Sequence, residues 1–378
     1  MKELALYIHI PFCKQKCFYC DFNSYSGKDD LMNDYIKALC KEIECNNDKV
    51  FKTIFIGGGT PTYLSEDNLI ALLKTINKLK TSEELEFSIE GNPGTFTKQK
   101  LKILKDMGVN RLSIGVQAWQ DFLLKNLGRI HTIQEFITGY KLARQIGFTN
   151  INVDLMFGLP EQTLNHWKET LTNIIKLNPE HVSCYSLIIE EGTPFFNKYK
   201  KGKLILPDEE TERSMYHIAL EILESKGYNQ YEISNFSLPN CECKHNLVYW
   251  ELGEYIGCGV SAHSYVDGYR LENINSINEY IRRINNKLNP VFSAHKNSKN
   301  DDIEEFLFMG LRKIKGINKE EFKIRFSKGI DEIYGDVIRK FKYNDLLIED
   351  CNSLRLSPKG VEISNYILSE FILDRYNE

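Results

Sequence analysis

The chain has 378 residues, of which 42% are hydrophobic, 26% charged and 12% aromatic, a balance that excludes a small disulfide-stapled scaffold and a disordered chain. Forty-eight Lys and Arg against 52 Asp and Glu leave a formal charge of -4, with no general attraction to phosphate backbones or anionic bilayers, so nucleic acid is not expected as a partner. The opening MKELALYIHIPFC is interrupted by His9 too early for a signal-peptide core, and no later run would span a bilayer; a cytoplasmic protein without an integral membrane segment is expected.

Apolar, often β-branched runs at 4-10, 53-57, 85-90, 111-116, 151-157 and 181-187 read as buried strands. Between them, DLMNDYIKALCKEIE, SEDNLIALLKTINKL, TKQKLKILKDMG, TIQEFITGYKLARQIG and TLNHWKETLTNIIKL space apolar residues three and four apart, as amphipathic helices do, and a last helix is expected at about 209-226. Six strand-helix units demand right-handed crossovers and a parallel sheet, so the fold class is α/β, a partial (β/α)6 barrel over residues 1-230. The stretch from about 228 to 270 reads as loops and short strands, residues 231-289 as a loop-rich extension packed on the barrel, and 290-302 as a polar linker. The remainder of 290-378 carries three helical patterns, two short strand-like runs around a turn and a final helix, the order of a winged-helix domain. Residues 301-378 hold 13 basic and 16 acidic side chains, a net of -3, which suits packing or partner contact better than DNA reading.

Ten cysteines spread over a long intracellular chain are expected to stay reduced, so clustered ones are metal-ligand candidates. After the first strand, Cys13, Cys17 and Cys20 form a Cys-x3-Cys-x2-Cys array in HIPFCKQKCFYCDF. Three thiolates suit an iron-sulfur cubane with one iron left open; a zinc knuckle is the alternative, but it normally needs a fourth ligand. Gly57-Gly58-Gly59-Thr60-Pro61 follows the second strand, and Glu90, Gln117, Arg129 and Asp154 stand at or after the ends of the next three. Polar groups at the C-terminal ends of barrel strands read as functional, and glycines let backbone approach a ligand.

These motifs resemble the radical S-adenosylmethionine superfamily, in which the open iron is chelated by S-adenosylmethionine and one electron from the 4Fe-4S cluster yields a 5'-deoxyadenosyl radical. IEGNPGT, GVNRLSIGVQ, LGRIHT, NINVDLMFGLPEQT, YEISNF, KHNLVYW and GCGVSAHSY together resemble its coproporphyrinogen dehydrogenase-like branch, including the haem-chaperone family. The resemblance implies Cys13, Cys17 and Cys20 as cluster ligands. It implies Tyr7, Gly58, Gly59, Thr60, Glu90, Gln117, Arg129 and Asp154 as S-adenosylmethionine contacts, Tyr19 beside the cluster and a backbone contact near His263. Tyr7 also reads as an ordinary strand aromatic.

Phe22 occupies the place of a further Cys in the dehydrogenase, and only 12 residues precede Cys13 where that enzyme carries an arm. Both departures match the haem-chaperone family, as does His245-Asn246-Leu247-Val248-Tyr249-Trp250. His245, Tyr249 and Trp250 are therefore haem candidates; an ordinary hydrogen-bonded loop His is the alternative. Cys241 and Cys243 read as incidental loop thiols or alternative thiolates, and Cys40, Cys45, Cys184, Cys258 and Cys351 as buried small hydrophobes. The resemblance implies haem as bound cargo, apo-haem proteins of a respiratory chain as recipients and a low-potential electron donor. The alternative is oxidative decarboxylation of coproporphyrinogen propionates.

Overall fold

The computed structural model describes residues 2-373. Strands β1 (Glu3–Ile10), β2 (Val50–Gly58), β3 (Lys80–Gly91), β4 (Arg111–Gln117), β5 (Ile151–Phe157) and β6 (His181–Ser186) pair in parallel in chain order. Between them run α1 (Met32–Glu44), α2 (Glu66–Ile76), α3 (Lys98–Asp106), α4 (Asp121–Asn126), α5 (Ile133–Ile146) and α6 (Leu164–Ile175); α7 (Pro194–Lys200) and α8 (Glu209–Glu224) follow β6. The strands read clearly because both faces are covered: all seven residues of β4 are buried, as are six of the seven in β5. Side-chain caps fix several helix starts, among them a capping box from Thr132 and Glu135 at α5.

The extension continues the sheet at both edges. Strands β7 (Asn229–Glu232) and β8 (Asn235–Ser237) add antiparallel beyond β6, followed by α9 (Lys244–Trp250). β9 (Tyr255–Cys258) lies parallel to β1 on the opposite edge, making a seventh parallel strand. β10 (His263–Val266), β11 (Tyr269–Asn273) and, after α10 (Ile277–Asn285), β12 (Val291–Lys296) then add antiparallel, for a twelve-stranded sheet. The segment expected as a polar linker therefore contains the outermost strand. Its side chains are almost all exposed, so it lacks the apolar alternation that marks a half-buried strand.

Next come α11 (Lys299–Gly310), β13 (Ile317–Asn318), α12 (Lys319–Phe326), α13 (Ile330–Tyr343), β14 (Leu347–Glu349), β15 (Ser353–Leu356), α14 (Pro358–Glu362) and α15 (Ser364–Ser369). The three strands form a separate sheet in the order β13-β15-β14, with the helix-strand-helix-helix-hairpin order of a winged helix. Phe306, Phe322, Phe326 and Phe341 fill its core, which also takes in Leu252 and Tyr265 of the extension. Among the described residues, no helix is long and apolar enough to cross a membrane.

Candidate functional site

The parallel strands place their C-terminal ends around one cavity of about 130 Å³. Its wall holds Cys13, Cys17 and Cys20 together with Tyr19, Gly58, Gly59, Glu90, Gln117, Arg129 and Asp154. Ten of the residues singled out from sequence thus meet there, drawn from the cysteine loop and the ends of four further strands. Thr60 stands beside them, its hydroxyl 3.6 Å from Cys13 Sγ. Tyr7 and His263 line an adjoining cleft instead.

Backbone hydrogen bonds fix the cysteine loop. Cys13 N donates to Tyr25 O, Gly59 N to Ile10 O, Thr60 N to Phe12 O, Phe18 N to Leu127 O and Phe195 N to Phe18 O, all at 2.8–3.0 Å. The glycine turn packs against this loop so closely that side chains are excluded. A Cβ at Gly59 would lie 2.9 Å from Cys13 Sγ, and one at Gly58, whose φ is +109°, would lie 2.5 Å from the His9 ring.

The charge arrangement is cationic beside the thiols and anionic at the far wall. Arg129 directs Nη1 at Cys17 Sγ, 3.5 Å away, and Nη2 at Asn92 Oδ1, 3.0 Å away, and also bonds Gly115 O; its buried Nε has no partner. Asn92 donates in turn to Thr60 Oγ1 at 2.8 Å, bridging two predicted contacts. Burial pushes the Cys13 and Cys20 thiols up, while their neighbours Thr60 and Phe22 pull in the opposite direction. Burial, then the nearby Asp154, raises Glu90 to about 8 despite a 3.0 Å bond from Gly58 N. Burial also raises Asp154, although Asn152 and Ser113 donate to its carboxylate at 2.8 and 3.1 Å. Two carboxylates this poorly hydrated favour a cationic ligand, since its charge would offset the cost of ionising them.

The residues fit a polynuclear iron-sulfur centre with S-adenosylmethionine. Three thiols ring one cavity with a guanidinium alongside, and the adjacent glycine turn and buried carboxylates leave a cradle for an amino-acid and sulfonium group. Among the described residues, no three His, Cys, Asp or Glu side chains converge on a single-ion position as they stand. Sequence reasoning passed over Asn92, although it lies inside the quoted IEGNPGT, and also Ser113 and Asn152, whose roles depend on pairing across β4 and β5.

The adjoining cleft has a volume of about 620 Å³ and shares Phe22, Gly58 and Glu90 with the cluster cavity. Tyr249, Trp250, Leu252, Tyr255 and Phe22 supply apolar and aromatic wall; Phe22 is 63% exposed. His245 does not reach it. It is buried, with Nδ1 2.8 Å from Thr53 Oγ1 and Nε2 2.8 Å from Tyr249 OH, and it stacks on Phe55. Both ring nitrogens are used, so the axial role expected for His245 does not fit this geometry. Cys243 is also buried, against Glu86, and unsuited to ligate cargo in the cleft, whereas Cys241 is half-buried. Cys45 and Cys351, expected to be buried, are exposed at the end of α1 and in the β14–β15 turn.

The Radical SAM superfamily profile matches residues 7–174, and the HemN C-terminal domain profile matches residues 297–363. A protein of Bacillus subtilis (strain 168) named heme chaperone HemW is 42% identical over 97% of this chain and 99% of its own length. Its namesake in Lactococcus lactis subsp. lactis (strain IL1403) is 37% identical over 100% and 99%. Among solved structures, coproporphyrinogen III oxidase (HemN) from Escherichia coli superposes with a TM-score of 0.85 at 23% identity, covering 98% of this chain and 90% of that one, a likeness of fold. With near-complete coverage at these identities, a cysteine loop and a set of strand-end residues meeting in one cavity, the chain belongs to the HemW family of the radical S-adenosylmethionine superfamily.

Proposed function

We propose that this chain is a haem chaperone, which binds haem and passes it to apo-haem proteins of a respiratory chain. The observation that carries the reading is the 620 Å³ aromatic-walled cleft, contiguous with the cysteine cavity and large enough for a flat macrocycle. Full-length similarity to proteins named heme chaperones supports it. Cys13, Cys17 and Cys20 would hold the 4Fe-4S cluster, and Gly58, Gly59, Glu90, Gln117, Arg129 and Asp154 would surround S-adenosylmethionine. When bound, that pair supplies one-electron reductive chemistry, with the electron coming from a low-potential donor. The chain's own contribution is to keep water from the cavity, hold Arg129 against the thiol of Cys17 and offer Glu90 and Asp154 to positive charge.

We place the protein in the cytoplasm, where its ten thiols stay reduced. Its working parts are the barrel, the sheet extension that walls the cleft, and the winged-helix domain, with the last boundary moved from 290 to the end of β12. Coproporphyrinogen dehydrogenation is the second reading; the shared fold with HemN favours it, and Phe22 in place of a fourth cysteine counts against it. Haem titration of the anaerobically reconstituted protein, followed by transfer to an apo-acceptor, is expected to succeed while coproporphyrinogen is left unconverted. Catalytic conversion without saturable haem binding would replace the chaperone reading with the dehydrogenase one.

A further inference from the structure

The cluster assigned to the cysteine cavity needs an electron from outside, and one side of that cavity communicates with the surface. Cys17, a wall residue of the cavity, also lines a smaller pocket of about 110 Å³ together with Lys14, Gln15 and Ile130. Those three side chains are exposed, Ile130 at 52%, so the pocket opens to solvent. It shares no lining residue with the aromatic cleft. Cargo and electrons therefore have separate approaches to the same centre.

Helix α7 is fastened to this side. Gly128 lines the small pocket, accepts from Gln15 Nε2 at 2.8 Å and carries the Phe18 ring, which a Cβ at that position would meet at 3.0 Å. Phe18, the residue after Cys17, accepts from Phe195 N at 3.0 Å and packs beside the Phe195 ring, with Lys198 Nζ 5.1 Å above its own ring. Phe195 is anchored in a small apolar core with Leu123, Leu124 and Leu127, so the helix is rigidly placed against the cysteine loop.

The surface so built is cationic in a chain whose net charge is negative. Residues 194-203, PFFNKYKKGK, hold four lysines and no acid, and Lys14 and Lys16 stand between the cluster thiols with no acid from Cys13 to Cys20. Among the described residues, Lys14 and the lysines of 194-203 have no ion-pair partner. Glu190 and Glu191 precede the basic run, and Asp208 beyond it is engaged in capping α8. Exposed Tyr199 and Ile130 add apolar contact of the kind that holds an encounter once charge has steered it.

We propose that this face is the docking surface for an acidic, low-potential one-electron carrier protein, and that the electron enters the cluster from the Cys17 side. The proposal rests on the iron-sulfur assignment above. One electron leaves the carrier and one is gained by the cluster, with no covalent bond made or broken. Complementary charge would set the rate of encounter, so the step should slow as salt rises.

The test mixes full-length, anaerobically reconstituted protein with a reduced acidic flavodoxin, and in parallel with dithionite, a small reductant that needs no docking surface. Cluster reduction is followed by freeze-quench electron paramagnetic resonance. With flavodoxin the wild-type rate is expected to fall with ionic strength. Lys198→Glu/Lys200→Glu and Lys14→Glu should each slow it roughly tenfold at low salt, while Lys74→Glu on α2 leaves it unchanged. All variants should keep their iron content and their rate with dithionite. Equal flavodoxin-driven rates in wild type and charge-reversed proteins would overturn the proposal. So would loss of binding to phosphatidylglycerol vesicles in the same variants with the flavodoxin-driven rate intact, which would give the lysines to a lipid surface. A wild type with no cluster that dithionite can reduce would sink the iron-sulfur assignment itself, and the docking surface with it.

Discussion

His245 shows how far a motif can be read. The sequence offered a histidine beside Tyr249 and Trp250, and that much was correct as a statement about residue types. Which nitrogens are free depends on Thr53, 192 positions away, and no spacing within the motif reports it. Burial, then Arg111, lowers His245 to about 3, so the ring is neutral in the folded protein. The unfolded chain takes up this proton first, so the contribution to stability is whole above about 6.5 and is lost as pH falls toward 3. His245→Ala is expected to cost about 2–4 kcal/mol by denaturant unfolding, from two lost hydrogen bonds and a cavity. Glu90 has the opposite sign. Its carboxyl, raised to about 8, holds its proton in the folded state while the unfolded chain loses it near 4.5, so stability falls as pH rises between those values. In metal-free protein, Glu90→Gln should raise the melting temperature relative to wild type at pH 8 and shrink that advantage at pH 5. An equal advantage at both values would mean that Glu90 is not protonated in the fold.

Strands buried on two faces were legible because a short, continuous apolar run rich in β-branched residues seldom folds as anything but a central strand, and β5 was expected and found at 151–157. The extension was legible only as loops and short strands over about 228–270, without their bounds or pairing, since β9 to β12 mix Tyr, Gly and charged residues and owe their pairing to an edge already in place. Two buried carboxylates tie these elements to the barrel. Glu86 of β3 accepts from Lys244 N and His245 N at 2.9 and 3.0 Å and so caps α9. Glu42 of α1 accepts from Gly259 N at 2.7 Å, Asn273 Nδ2 at 2.7 Å and Tyr280 OH at 2.5 Å, joining three parts of the extension to one helix. Glu42→Leu would leave Gly259 N and Tyr280 OH without an acceptor and Asn273 Nδ2 with Gly259 O alone. It is expected to lower stability by about 2–4 kcal/mol and to speed amide exchange across 255–285 before the barrel. Uniform exchange in the variant would show that the extension does not rely on this contact.

Across the whole molecule, the cleft is a joint product of the barrel, the extension and the winged-helix domain, which is why the family resemblance implied haem but local pattern did not reveal a seat for it. Tyr7 and Glu90 come from β1 and β3, His263 and Arg270 from the extension, and Met309 from α11. The Arg270 fork onto Glu305 spans the last two parts, and Arg325 Nη2 donates to Leu252 O at 3.1 Å across the same boundary. Arg270→Ala should therefore reduce haem affinity by roughly three- to tenfold, a loss of about 1 kcal/mol, without lowering cluster content. The net charge of -4 and the -3 of residues 301-378 give a companion expectation: electrophoresis with duplex DNA at moderate salt should show no shift.

The cysteine loop is stitched to its surroundings by main-chain hydrogen bonds that owe nothing to iron. These bonds lead us to expect that the loop's backbone folds ahead of metallation, unlike that of a small zinc module that collapses only around its ion. A chain that has lost its cluster to oxygen should keep its shape and remain a template for reloading. Repair then becomes a matter of delivery alone, and repeated cycles of damage and reinsertion need not consume the polypeptide.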